Sequence, residues 1–130
     1  MPKHQGSCHC GKVTFEFEGP LGPVLECNCS ICHRKGAIWQ PSDDAHFCIL
    51  TGKDELTLYQ FGTCVAKHFF CKHCGVSTFS NPRIAPDMWA VNLRCVEGID
   101  FSAIKIQQFD GQNWEQSAHQ FMKARAEGAV

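Results

Sequence analysis

The sequence predicts a mainly β domain, and the arrangement of its apolar residues carries that expectation. β-Branched and aromatic residues gather in short runs separated by Gly, Pro, Asn and Asp, as in strands joined by turns. The clearest run places Val13, Phe15 and Phe17 in alternation with polar residues, which is the period of a strand buried on one face. Helical spacing is confined to one short segment and the C-terminus.

Taken in chain order, the pattern predicts seven strands, at residues 12–18, 47–50, 56–61, 67–70, 76–80, 88–93 and 104–109. A short helical turn is expected over residues 30–35, ending at Gly36, where a left-handed cap costs least. A C-terminal helix is expected at about residues 113–127 with Asn113 as its cap. Its apolar face is expected to consist of Trp114, Ala118, Phe121 and Met122.

Length and composition predict one globular domain over residues 1–130. The net charge of -1 and the scattered Lys and Arg residues argue against nucleic acid as a partner. No run approaches the roughly eighteen apolar residues of a membrane span, and the N-terminus lacks the apolar core of a signal peptide. A cytoplasmic protein without a membrane partner is therefore expected.

Ten cysteines in 130 residues are the most informative feature of the sequence. In the cytoplasm thiols stay reduced, so paired cysteines there indicate metal binding in preference to disulfides. Three clusters hold seven of them, in SCHCGK, ECNCSICHRKG and FFCKHCGV. Zinc prefers tetrahedral thiolate coordination, and a structural site usually draws on two such cysteine pairs. Two zinc ions are therefore expected.

Glycine placement suggests how the clusters divide. Cys10 and Cys74 are each followed by glycine, the residue that most easily adopts the positive φ of a metal-binding turn. We therefore expect one four-cysteine structural site, formed by Cys8, Cys10, Cys71 and Cys74. The remaining set is Cys27, Cys29 and Cys32. Three protein ligands with a free fourth position are typical of catalytic zinc sites. Alternatively, His33, another histidine or a remote cysteine completes this set as a second structural site.

The other chemically distinctive residues have simpler interpretations. The three isolated cysteines are interpreted as core or surface residues in preference to ligands, namely Cys48, Cys64 and Cys95. Cys48 is expected to act as a small buried hydrophobe. The histidines interpreted as non-ligands are His9, His33, His46, His68 and His73. Three tryptophans are expected in the core, namely Trp39, Trp89 and Trp114. Four cations are open to either an anion-binding or a surface role: Arg34, Lys35, Arg83 and Arg94.

The ordered motifs GSCHCG, CNCSICHRKG, FFCKHCGVSTFSNP, VNLRC and FDGQNWE resemble those of the glutathione-dependent formaldehyde-activating enzyme family, which includes the domain named after centromere protein V. The resemblance covers about residues 3–115 and implies a zinc scaffold over that range, with an Mss4-like fold built from β-sheets around zinc. It also implies a structural zinc on Cys8, Cys10, Cys71 and Cys74 and a catalytic zinc on Cys27, Cys29 and Cys32. This division agrees with the one suggested by glycine placement.

The resemblance further implies a carbon–sulfur lyase that joins glutathione and formaldehyde into S-hydroxymethylglutathione. Its partner would be a small-molecule thiol, glutathione or a related adduct, bound at the open zinc position. Asn92, Arg94 or zinc itself could then stabilise the alkoxide that forms on the formaldehyde oxygen. The alternative is a non-catalytic, zinc-stabilised interaction module, because the short chain leaves little sequence outside the scaffold to build a glutathione pocket.

Overall fold

The structure, a computed structural model, describes residues 2–126, which form ten strands, two α-helices and five short 3-10 turns. The strands are β1 (Lys3–Ser7), β2 (Thr14–Glu18), β3 (Val24–Cys27), β4 (Trp39–Ser42), β5 (Phe47–Thr51), β6 (Leu56–Tyr59), β7 (Lys67–Cys71), β8 (Phe79–Asn81), β9 (Trp89–Asn92) and β10 (Ile106–Phe109). The helices are α1 (Ser30–Lys35) and α2 (Trp114–Ala126). The predicted mainly β class, with short helical turns and a C-terminal helix, is confirmed.

The strands form two sheets. The smaller has the order β1-β2-β5, and the larger has the order β10-β3-β4-β9-β8-β7-β6. Pairing is antiparallel except between β10 and β3, which run parallel. The parallel pair brings the segment after β10 alongside the segment after β3. Two of the sequence motifs, CNCSIC and FDGQNW, therefore start side by side.

The two sheets share one apolar core. Phe15 and Phe17 of β2 are buried, as their alternation predicts. Phe79 of the larger sheet lies edge-on to Phe15 and Phe47 of the smaller one, with ring centroids 5.7 and 5.2 Å apart. Such edge-to-face pairs add to the stabilisation that comes from burial alone. Because the same cluster includes Cys8 and Cys71, the core abuts the four-cysteine group.

Three strands are missing from the predicted set. β1 has the sequence KHQGS and lies at the edge of its sheet, so its side chains needed no apolar alternation. β3 is a four-residue strand with the sequence VLEC, which is too short to reveal a period. β4 contains Pro41, which cannot donate to a ladder, but β4 pairs with β3 only at Trp39. Proline is therefore tolerated there.

The C-terminal helix differs from its prediction in two details. The chain enters it through a 3-10 turn, Gly111–Asn113, and Asn113 donates its side-chain amide to Asp110 at 2.8 Å. Met122, expected on the apolar face, is exposed, whereas Phe121 packs edge-on against Phe109. The predicted last residue, 127, lies outside the described residues. Within the described chain, neither helix has the length and apolar character needed to cross a membrane.

Candidate metal centres and the adjoining cleft

Two turns from different sheets bring four cysteines together. Cys8 and Cys10 lie between β1 and β2, whereas Cys71 ends β7 and Cys74 follows it. The ligand-capable sulfur atoms of all four lie within 4.8 Å of one another. Cys8 and Cys71 are buried, so this group lies at the end of the core.

The two turns share one backbone design. Cys8 donates its backbone N–H to Val13, and Cys71 donates its own to Val76, so each turn closes over five residues. The glycine after each second cysteine has positive φ, 81° at Gly11 and 77° at Gly75. The glycine conformation expected from the sequence is therefore present in both turns. A residue with a Cβ would strain the backbone at either position.

The sulfur spacing in the four-cysteine group fits zinc. Cys8 and Cys10 have sulfur atoms 3.5 Å apart, and those of Cys10 and Cys71 are 3.6 Å apart. Four sulfurs placed tetrahedrally around a zinc ion at about 2.3 Å lie about 3.8 Å from each other. All ten cysteines are free thiols in the structure, so no disulfide competes for these sulfurs. The group could bind a metal ion.

The second group consists of Cys27, Cys29 and Cys32, whose sulfurs also lie within 4.8 Å of one another. Cys27 ends β3, Cys29 is the N-cap of α1, and Cys32 lies in the first turn of that helix. Gly36 ends α1 in the predicted left-handed conformation, with φ of 66°. Among the described residues, the group contains three ligand atoms and no histidine or carboxylate.

Donors surround the sulfurs of this second group. The backbone N–H of Cys29 donates to the sulfur of Cys27, and that of Cys32 donates to the sulfur of Cys29, both at 3.4 Å. Trp39 donates its indole N–H to the sulfur of Cys32, also at 3.4 Å. Donors aimed at sulfur orient the ligands and stabilise negative charge on them. Trp39 is therefore part of the site as well as a buried aromatic.

The loop after β10 is hydrogen-bonded to the segment that carries Cys27 and Cys29. Asn28, between two of the cysteines, donates to Asp110 at 3.0 Å and accepts from the backbone N–H of Gln112 at 3.1 Å. A Cβ on Gly111 would lie 2.6 Å from the sulfur of Cys27 and 2.6 Å from the Cβ of Cys29. Only glycine lets this loop approach so closely, so the FDGQNW motif acts as a support for the three-cysteine group.

The three thiols behave electrostatically as one unit. Interactions with the Cys27 and Cys32 thiols lower the pKa of Cys29 to about 2. The same crowding, followed by burial, raises the pKa of Cys32 above its usual range. One thiolate therefore forms easily and opposes ionisation of its neighbours. A bound cation would remove that opposition, as expected for a group of metal ligands.

The three-cysteine group opens into a cleft of about 900 Å³. This volume lies within the range of small-molecule pockets, about 300–1,000 Å³. All three cysteines line it, together with aromatic residues and few charged groups. Among the described residues, Arg83 is the one lysine or arginine on its wall, and its guanidinium lies 3.6 Å from the centre of the Trp114 ring. The cleft could therefore hold a small molecule against the three sulfurs.

Lys35 and His68 form a polar pair beside this group, which sequence reasoning missed. The Lys35 ammonium lies 3.3 Å from Nδ1 of His68 and 5.4 Å from the centre of the Trp39 ring. Burial, followed by the charge of Lys35, lowers the pKa of His68 to about 4, and burial also lowers the pKa of Lys35. The HRKG motif identified Lys35 as a cation, but no spacing in the sequence connects it with His68.

Asn92 and Arg94 have structural contacts. Asn92 is buried, donates to the carbonyl of Ser77 at 2.9 Å and accepts from the backbone N–H of Arg94 at 3.1 Å. Arg94 donates Nε–H to the carbonyl of Gly36 at 2.9 Å. Within the described chain, neither residue is among those that line the cleft. Their predicted contact with an alkoxide stays a prediction.

The remaining cysteines and histidines lie outside both groups. The expectation of a buried Cys48 is wrong, because Phe47 takes the buried side of β5 and the next residue faces solvent. Cys64 is exposed, and burial raises the pKa of Cys95 to about 11. His9 is exposed, and His73 binds the Glu55 carboxylate.

Comparison with known proteins places the chain in a family. The sequence profile described as glutathione-dependent formaldehyde-activating enzyme matches residues 3–124. The chain belongs to this family. A Halomonas elongata protein provisionally named a glutathione-dependent formaldehyde-activating enzyme is 33% identical in an alignment of 79 residues, and the match covers 54% of this chain. The aligned segment spans 50% of that relative's length.

A solved structure with the same architecture supports the fold described above. A Rhodobacter sphaeroides protein, determined by crystallography in a structural genomics programme, superposes with a TM-score of 0.71 at 39% identity. The match covers 75% of this chain and 92% of the other. The resemblance inferred from the ordered cysteine motifs is therefore confirmed at the level of family and fold. Enzymes of this family are carbon–sulfur lyases.

Proposed function

We propose that the protein is a zinc-dependent carbon–sulfur lyase that combines a small thiol, such as glutathione, with formaldehyde. The observation that carries the proposal is the position of Cys27, Cys29 and Cys32 on the wall of a cleft of about 900 Å³. Membership of the glutathione-dependent formaldehyde-activating enzyme family supports this chemistry at family level. The donor set, three thiols with no further ligand among the described residues, fits a metal with one free position.

The two cysteine groups have different tasks in this proposal. Cys8, Cys10, Cys71 and Cys74 hold a structural zinc, as their closed arrangement at the end of the core suggests. The three-cysteine group holds the second zinc beside the cleft. When bound, this ion supplies positive charge that favours the thiolate form of a thiol at its free position. The surrounding N–H donors keep the three sulfurs oriented for that role.

The reaction needs only a thiol and formaldehyde. The thiol sulfur attacks the carbonyl carbon, so a carbon–sulfur bond forms and the π pair moves to oxygen. The proton that leaves the thiol ends on that oxygen, which gives an S-hydroxymethyl thiol with no other reactant. Because this addition also proceeds without a protein, catalysis would come mainly from bringing the reactants together and ionising the thiol.

Exchange NMR tests the proposal directly. Zinc-loaded protein is mixed with glutathione and formaldehyde, and the interconversion of free and hydroxymethylated thiol is followed against a buffer control. We expect the wild-type protein to accelerate exchange and Cys29→Ala to lose the acceleration, because the site loses one of its three sulfurs. Cys48→Ala, at an exposed thiol outside both groups, is the matched control and keeps the wild-type rate.

Two results would contradict the proposal. One is a wild-type rate equal to that of buffer, and the other is an unchanged rate in Cys29→Ala. The first result, combined with recovery of a stable protein partner, would favour the interaction module. An exposed apolar strip on and after β6, formed by Leu58, Tyr59, Phe61 and Val65, favours that second candidate. Alanine variants in the strip would then abolish partner binding.

A further inference from the structure

The hydrogen bond between Lys35 and His68 fixes where the histidine carries its proton. The lysine ammonium has donors and no acceptor, so Nδ1 of His68, 3.3 Å away, accepts the bond. In a neutral imidazole the other nitrogen, Nε2, then carries the hydrogen. His68 therefore presents its Nε2–H as a hydrogen-bond donor.

His68 lies on the wall of the cleft. The three cysteines line the same cleft. Within the described chain, Nε2 has no protein partner, and the one buried side-chain polar atom without a partner is the hydroxyl of Thr78. The small exposed part of His68 therefore includes Nε2. A ligand in the cleft can accept its hydrogen bond.

The ring is held in a fixed orientation. It stacks on Phe61, with ring centroids 5.6 Å apart and an interplanar angle of 20°. On its other nitrogen it is held by Lys35, which extends from α1, the helix that also carries Cys32. The donor on β7 is therefore connected through one side-chain contact to the helix that carries Cys32. A fixed donor near a reacting centre stabilises developing charge without reorganising first.

We propose that His68 is a catalytic residue that donates its Nε2–H to the formaldehyde oxygen as negative charge develops there. Lys35 is the positioning residue that selects this tautomer. The inference rests on the proposed function, and it gives to His68 the role that the sequence suggested for Asn92 or Arg94. His68 donates a hydrogen bond and keeps its proton, while the proton released by the thiol reaches the oxygen through water.

The kinetic test compares two substitutions of His68 in the zinc-loaded protein, using exchange NMR with glutathione and formaldehyde. His68→Phe keeps a ring against Phe61 but has no donor, so we expect kcat to fall about tenfold with KM unchanged. His68→Gln places an amide N–H near the position of Nε2 and should restore much of the loss. His119→Phe, at an exposed histidine on α2, is the matched control and should match wild type.

A second measurement does not depend on turnover. The ¹⁵N shifts of the His68 ring in zinc-loaded wild type should show that Nε2 carries the proton and that Nδ1 is unprotonated and accepts a hydrogen bond. Lys35→Met, which removes the donor to Nδ1, should give a mixture of the two tautomers. Far-UV circular dichroism and zinc content establish that each variant is folded.

The outcomes separate this inference from the proposed function. Wild-type acceleration that persists unchanged in His68→Phe would overturn the role of His68 alone. A wild-type ring protonated on Nδ1 would overturn it as well, whatever the rates. A wild-type rate equal to that of buffer would overturn the proposed function and the inference with it. Loss in His68→Phe, rescue in His68→Gln and a tautomer mixture in Lys35→Met together support it.

Discussion

The close contact of Gly111 with the three-cysteine group predicts the effect of Gly111→Ala. The new methyl carbon would lie 2.6 Å from the sulfur of Cys27 and 2.6 Å from the Cβ of Cys29. Ordinary non-bonded contacts between heavy atoms are about 3.5–4.0 Å, so one side must move by about 1 Å. The loop cannot retreat freely, because Asp110 and Gln112 are bonded to Asn28 on the same segment.

The size of this shift determines the expected effect. Zinc–ligand distances tolerate deviations of about 0.2 Å, and the required displacement is several times larger. We therefore expect Gly111→Ala to bind about one zinc ion per chain where wild type binds two. Overpacking should also lower the free energy of unfolding by about 1–3 kcal/mol. The four-cysteine group, formed by other segments, should keep its metal.

The assay is the number of zinc ions per chain, which is measured by elemental mass spectrometry after gel filtration. Gly98→Ala is the matched control, because Gly98 has φ of 77° and a methyl group added there would have nothing within 4 Å. That variant should show backbone strain of about 1–2 kcal/mol and still bind two zinc ions. Two zinc ions of wild-type affinity in Gly111→Ala, or a loss of one in Gly98→Ala, would refute the reasoning.

Three further predictions concern stability and metal affinity. Cys71→Ala removes a fully buried sulfur of the four-cysteine group, and its cooperative thermal transition should disappear because structural zinc contributes roughly 10–16 kcal/mol to folding. The control Cys48→Ala should melt as wild type does, and a cooperative melt in Cys71→Ala would contradict the structural role. Phe79→Ala should lower the free energy of unfolding, measured by urea denaturation, by about 3–5 kcal/mol, whereas Phe61→Ala, at an exposed residue, should lower it by less than about 1 kcal/mol. Equal losses in the two variants would argue against the shared core. Asn28→Ala should weaken the second zinc about 10–100-fold in chelator competition while leaving the first unchanged, and an unaltered second affinity would remove the loop's supporting role.

Local patterns were sufficient for the parts of the fold that depend on local chemistry. The alternation around Phe15 and Phe17 predicted a half-buried strand, and β2 is such a strand. Gly36 predicted the end of α1, because a left-handed cap depends on the residue itself. Glycine after Cys10 and Cys74 predicted two similar turns, and the structure brings those turns together. Each of these signals is contained within a few residues.

Features that depend on contacts between distant segments were beyond sequence reasoning. β1 is polar and gains its place from pairing with β2, so its own residues carry no strand period. The contact of Lys35 with His68 spans 33 positions, and the approach of Gly111 to Cys27 depends on the parallel pairing of β10 and β3. Asn28 lies at a variable position between two cysteines, so spacing alone gave it no role. Only the assembled sheets assign these partners.

The four-cysteine group also joins segments that are distant along the chain. Its first two cysteines and its last two lie on different sheets, and 61 positions separate Cys10 from Cys71. A metal ion there would act as a cross-link that closes a chain loop worth about 4 kcal/mol of denatured-state entropy. Cys27 and Cys32 lie inside that loop, so a metal ion on the four-cysteine group would reduce the number of conformations open to the segment that forms the second group. We therefore expect zinc on the four-cysteine group to strengthen zinc binding at the three-cysteine group, which has one sulfur ligand fewer and should lose its zinc to a chelator first.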